Sequence, residues 1–177
     1  VSTGGSSSTG GQAGGGAGGG GSVTTLSDTK VLNALTPADA TQLCNDTYAY
    51  YLSAATPGVI CKWKGLYFAT QSSAPTEEKL RSNCTSQETP CLADPSATWA
   101  SASCNDFPSD CKKTVADYSA CIKDYTAWLT QKVSELPDCD TFTSASWNPV
   151  WDIVSADPPA SCMFCTDTYS APDPRQF

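Results

Sequence analysis

Apolar residues recur at intervals of three and four along Val115, Tyr118, Ile122, Tyr125, Leu129, Val133 and Leu136. That period lines them along one side of a helix. Thr114 stands where an N-cap is wanted, and Asp117, three residues on, can reach back to the first free amides. Pro137 stops the pattern. Cys111 precedes this helix, Cys121 lies beside its apolar stripe and Cys139 follows it. The stretch from Cys111 to Cys139 therefore reads as the element around which the chain is organised.

A second helix is predicted upstream, after a short lead-in with Leu26, Val31, Leu32 and Leu35 available for a core. Thr36 is its N-cap, Pro37 suits the first helical position, and Asp39 completes the same capping pattern. Ala40, Cys44, Tyr48, Tyr51 and Ala55 keep helical spacing. The shared Thr-x-x-Asp openings at Thr36 and Thr114 suggest two equivalent helices that pack together, though the match is too short to be a repeat.

Thr56-Pro57 repeats the start signal and predicts a helix through Cys61, Trp63, Leu66, Tyr67 and Phe68, weakened by Gly58 and Gly65. A short helix is expected from Thr76 to Cys84, with Glu77 and Glu78 where the helix dipole favours acids. Prolines, serines and acids dominate from Thr85 to Asp110. That stretch reads as a loop-rich crossover carrying Cys91 and Cys104, with one helical turn around Trp99. After Cys139 an irregular segment with Phe142, Trp147, Val150, Trp151 and Ile153 is expected. Pro158-Pro159 then opens a last turn or short helix with Cys162 and Cys165.

Composition changes this picture at the N-terminus. Eleven of the thirteen glycines fall in the first 21 residues, and no charge occurs before Asp28, so residues 1–22 read as a flexible tether. Its end-to-end distance would be roughly 25 Å as a Gly/Ser coil. Residues 23–170 form the expected domain and residues 171–177 a frayed tail. Ten cysteines, even in number and without a single histidine, point to a disulfide-linked domain outside the cytoplasm. Export implies a signal segment that has been removed, leaving Val1 near the mature start.

The residues expected in disulfides are Cys44, Cys61, Cys84, Cys91, Cys104, Cys111, Cys121, Cys139, Cys162 and Cys165. Ten half-cystines leave the connectivity open. Cys44 with Cys121 would join the two best helices, and Cys84 with Cys91 and Cys104 with Cys111 would close short loops.

Charge and motifs narrow the function classes. A net charge of −8 disfavours nucleic acid, which needs basic groups against phosphates, and disfavours docking on anionic lipid. No apolar run is long enough to span a bilayer. Without histidine or a GxSxG elbow, nucleophilic catalysis has no support, and no carboxylate pair falls in a recognisable pattern. Cys162-Met-Phe-Cys165 has the CxxC spacing of thiol oxidoreductases and of half a zinc site. No strand precedes it and no second close pair accompanies it, so two structural half-cystines with different partners are the expected reading. No metal and no cofactor are expected. The aromatics are the best hint of binding, with Trp128 off its helix's apolar stripe and Trp147 and Trp151 close together. Core filling is the competing account of these rings.

The helix LTPADATQLCNDTYAYY, Cys61, the Cys84/Cys91 and Cys104/Cys111 spacings, the TVADYSACI helix start and the closing CMFC together resemble a family of uncharacterised exported lipoproteins. That family is common in myxobacteria and related bacteria. Its members carry a lipidated cysteine, a Gly/Ser-rich tether and a cysteine-rich helical domain. The resemblance covers about residues 23–170 and implies a lipid anchor just before Val1. It carries no activity with it.

The expected fold is all-α: a small disulfide-stapled helical bundle with long irregular crossovers and a Gly-rich tail that is disordered or ordered by a partner. The expected function is that of a non-enzymatic secreted or surface-tethered structural or binding protein, at the cell surface, extracellular or periplasmic. It would meet a protein partner or itself, and a membrane only through an N-terminal lipid. Two alternatives are a subunit of an extracellular filament, with the tail ordered between subunits, and a thiol-disulfide oxidoreductase using Cys162 and Cys165.

Overall fold

The computed structural model describes residues 22–71, 76–96, 107–157, 159–162 and 165. Most of residues 1–22, all of 171–177, and Trp99 and Cys104 lie outside the described residues. The helices are α1 (Pro37–Ala54), α2 (Thr56–Thr70), α3 (Glu77–Ala93), α4 (Val115–Ser134) and α5 (Trp147–Val154). Short 3-10 turns lie at Leu32–Ala34, Cys139–Thr141, Ser144–Ser146 and Ala160–Cys162. Among the described residues the only extended pairing is an isolated antiparallel bridge between Val31 and Thr114. The fold is all-α, small and disulfide-linked.

That bridge sits at the start of α4 and serves it. The first four N–H groups of a helix have no partner within it. Here each has one. Thr114 N–H donates to Asp117 Oδ2 at 2.8 Å, and Asp117 N–H to Thr114 Oγ1 at 3.3 Å. Val115 and Ala116 N–H donate to the carbonyls of Lys30 and Asp28 at 2.9 and 3.0 Å. The lead-in thus completes the cap that Thr114 and Asp117 begin. α4 then buries Val115, Tyr118, Cys121, Ile122, Tyr125, Leu129 and Val133, and ends at Ser134, before Pro137.

α1 opens with the same capping box between Thr36 and Asp39, with Pro37 in its first turn. It meets α4 through Thr47 Oγ1 and Tyr118 OH at 3.0 Å, and through the rings of Tyr51 and Tyr125, edge to face at 6.2 Å. α2 begins differently from expectation. Thr56 caps nothing: it is the first helical residue, at φ 61°, and one buried residue, Ala55, separates α1 from α2. The chain turns too sharply there to leave room for an extended N-cap residue.

α2 packs most extensively against α3. Gly65 lets them approach, since a Cβ there would lie 2.8 Å from Cys84 O and 3.2 Å from the sulfurs of Cys84 and Cys139. α3 runs nine residues beyond its expected end at Cys84, through Pro90 to Ala93. Its buried face is only Leu80, Cys84 and Cys91, at helical spacing, with cysteine standing in for aliphatic residues. Pro90 lies in the last turn, where a missing N–H costs one bond rather than a helix. The segment after Cys139, expected to be irregular, contains α5. A Thr143–Ser146 capping box leads into it, and Pro149 falls in its first turn, where no amide donor is needed. Val150 and Val154 bury its inner face. No helix among the described residues is long and apolar enough to cross a membrane.

Candidate functional site

Four disulfides join Cys61 to Cys91, Cys84 to Cys139, Cys111 to Cys165 and Cys121 to Cys162. Cys44 is disulfide-bonded too. The three expected pairings are corrected. Cys84 and Cys91 lie seven residues apart in one continuous helix, roughly 10 Å along its axis, beyond the roughly 7 Å that a disulfide spans between Cα atoms. Each instead reaches a neighbouring element. Cys121 pairs with Cys162, not Cys44, because α4 turns that position toward the C-terminal 3-10 turn, where Cys162 Sγ lies 3.3 Å from Cys121 O. Cys111, placed by the lead-in at the foot of α4, reaches Cys165 rather than Cys104.

The four described cross-links fall into two groups. Cys61–Cys91 clamps α2 to α3, and Cys84–Cys139 ties α3 to the turn after α4. Cys111–Cys165 ties the C-terminal segment to the residues just before α4, and Cys121–Cys162 ties it to the second turn of α4. The two cysteines of the CxxC are therefore bonded to different partners and not to each other. Four disulfides suit an oxidising compartment, extracellular or periplasmic.

The candidate contact aromatics are less open than their positions suggest. Trp128 is half-buried, edge-on to Trp63 of α2 at 5.9 Å and tilted against Tyr125 at 5.5 Å. It lies off the apolar stripe of α4, and a ring from α2 partly covers it. Trp147 and Trp151 are half-buried and stack in near-parallel planes, 5.8 Å between centroids and 5° apart. The indole nitrogen of Trp147 is sealed with no acceptor among the described residues, so only a ring face can be offered outward. Among the described residues, Phe68 and Leu92, at 39 % and 49 % exposure, are the exposed large apolar side chains. The sequence reading missed Leu92 because it placed that residue in a loop.

Lys62 joins α2 to the segment after α4. Lys62 Nζ donates to Leu136 O at 2.8 Å and pairs with Asp138 at 2.6 Å. Burial pushes the Glu88 carboxyl up, helped by Asp138 and Asp140 and opposed by Lys62. Burial also raises the Tyr50 phenol and lowers the Lys64 ammonium. Among the described residues, open hollows of about 520, 560 and 640 Å³ mark the surface. Asp46 borders the first two and already accepts from Thr24 Oγ1 at 2.6 Å and Thr25 N–H at 3.2 Å. Arg81 borders the third and donates to Phe142 O at 3.1 Å. Among the described residues no group of three or more cysteine and carboxylate side chains could hold a metal ion. Compared with protein-family models, curated proteins and solved structures, the chain matches none of them.

Proposed function

We propose that the chain is an exported, non-enzymatic contact protein: a cross-linked helical scaffold carried on a Gly/Ser-rich tether at a cell surface, outside the cytoplasmic membrane. An N-terminal lipid would anchor it, and its partner would be another protein or a second copy. The observation that carries the reading is the division of Cys162 and Cys165 between two long-range cross-links. Each sulfur of the CxxC serves as a tie to α4, which is a structural use of the pair. The acidic surface supports it as well, since net charge keeps an exported domain dispersed.

The test is a turnover assay of the full oxidised chain with a protein disulfide substrate and a thiol reductant. The expected result is no rate above the reductant alone, together with almost no free thiol in the denatured, unreduced chain. Turnover abolished by Cys162→Ser or Cys165→Ser, in variants that keep the helical signal, would replace this reading with the oxidoreductase one.

A further inference from the structure

Cys111–Cys165 and Cys121–Cys162 close chain spans of 54 and 41 residues, and both end on the same short C-terminal segment. Exposure separates them. Cys121, Cys162 and Cys111 are sealed, at 0 %, 1 % and 1 %, whereas Cys165 is half-buried. It is the one half-cystine of the four described pairs that solvent reaches. Thiol–disulfide exchange needs a thiolate to reach a sulfur, so among the four described pairs an external thiol meets this bond first. Cys165 also holds φ 77°, a left-handed backbone that a residue with a Cβ leaves when nothing holds it there. Once free, its sulfur stands three residues from Cys162, the spacing at which CxxC disulfides form.

We propose that the C-terminal segment is a redox-released strap, opened by an internal disulfide exchange. A dithiol reductant attacks Cys165 Sγ, and the Cys165–Cys111 bond breaks with Cys111 leaving as a thiolate. The second thiol of the reductant resolves the mixed disulfide. The reductant departs as its cyclic disulfide and Cys165 as a thiolate. That thiolate attacks Cys162 Sγ. The Cys162–Cys165 bond forms, the Cys162–Cys121 bond breaks, and Cys121 takes the electron pair. Two protons from water complete the thiols of Cys111 and Cys121. The chain has gained two electrons and has one disulfide fewer. Two ties to α4 have become one local ring, so a single reducing event unfastens the segment at both points. Burial protects Cys121 from external thiols, but an attacker already tethered beside Cys162 needs no entry path. The exchange is stoichiometric, and it is independent of whether the chain acts by contact.

The experiment treats the full oxidised chain with graded dithiothreitol at neutral pH, quenches in acid, alkylates and maps the labelled cysteines by peptide mass spectrometry. The first two-thiol species should carry label on Cys111 and Cys121, with Cys162 linked to Cys165. Label on Cys111 and Cys165, or first opening of Cys61–Cys91, Cys84–Cys139 or the disulfide of Cys44, overturns the proposal. In the double variant Cys111→Ser/Cys165→Ser the Cys121 thiol should appear at least ten-fold more slowly. An unchanged rate there also overturns it, because Cys121–Cys162 would then open without help from Cys165. The labelling result on the unaltered chain stands by itself if that variant folds poorly.

Discussion

Gly65 and Gly58 sit in the same helix with opposite surroundings. At Gly65 a methyl group would press on a backbone carbonyl and on both sulfurs of Cys84–Cys139, so α2 and α3 would have to part. At Gly58 the nearest atom is Thr56 Oγ1, at 4.0 Å. Alanine is worth up to about 1 kcal/mol over glycine in a helix, whereas overpacking costs about 1–3 kcal/mol. Gly65→Ala should therefore lose about 1–2 kcal/mol in denaturant titration of the oxidised chain, and Gly58→Ala should gain a few tenths to 1 kcal/mol. Equal shifts in the same direction would show that the α2–α3 contact is looser than described. From the sequence both glycines merely weaken a helix. The neighbour that makes one of them necessary is Cys84, nineteen positions away in the chain, and no local pattern reports it.

At the level of elements, what could be read in advance depended on whether the signal was local. The Thr-x-x-Asp caps of α1 and α4 act within four residues, and both helices start where those residues place them. The second half of α3 was illegible because it lacks an apolar stripe. Its inward side chains are cysteines, and what they touch is decided by α2 and by the turn at Cys139. Disulfide partners are illegible for the same reason: pairing is fixed by folded proximity, whereas two of the three expected pairs span only seven residues. The tryptophans were visible as candidates, but the cover that Trp63 gives Trp128 was not. The cap of α4 offers a direct check. Thr114→Ala should cost about 1 kcal/mol. The amides of Val115 and Ala116 should nevertheless exchange slowly, because the carbonyls of Lys30 and Asp28 still accept from them. Fast exchange at both positions in the unaltered chain would remove the lead-in from the cap.

At the scale of the molecule, described carboxylates shifted in opposite directions contribute to the response to pH. The Asp39 carboxyl is held low by its hydrogen bond to Lys30 and then by Thr36, and Asp117 by the Thr114 amide. For such groups stability is complete above the unfolded value, about 3.9, and is lost as pH falls through the lower folded value. Glu88 has the opposite sign. Its carboxyl is raised by burial, so its contribution is complete below the unfolded value, about 4.3, and is lost as pH rises through the folded one. Thermal unfolding temperature should fall below about pH 3.9 and decline gently above about pH 4.3. Glu88→Gln should flatten the upper branch and leave the lower one. A variant less stable than the parent at pH 7 would show that ionised Glu88 is favourable where it stands.

The lead-in that completes the α4 cap is also the place where a pull from the N-terminal side enters the domain. Its first clasp is Asp46, gripped by Thr24 and Thr25, and its second is the opening turn of α4. Neither is covalent, and the chain meets its first covalent stop at Cys44. Drawn out, residues 22–43 would span roughly 70–80 Å. The strand that tension peels away is the one that shields the amides of Val115 and Ala116, so load would be felt at the far helix before any cross-link bears it.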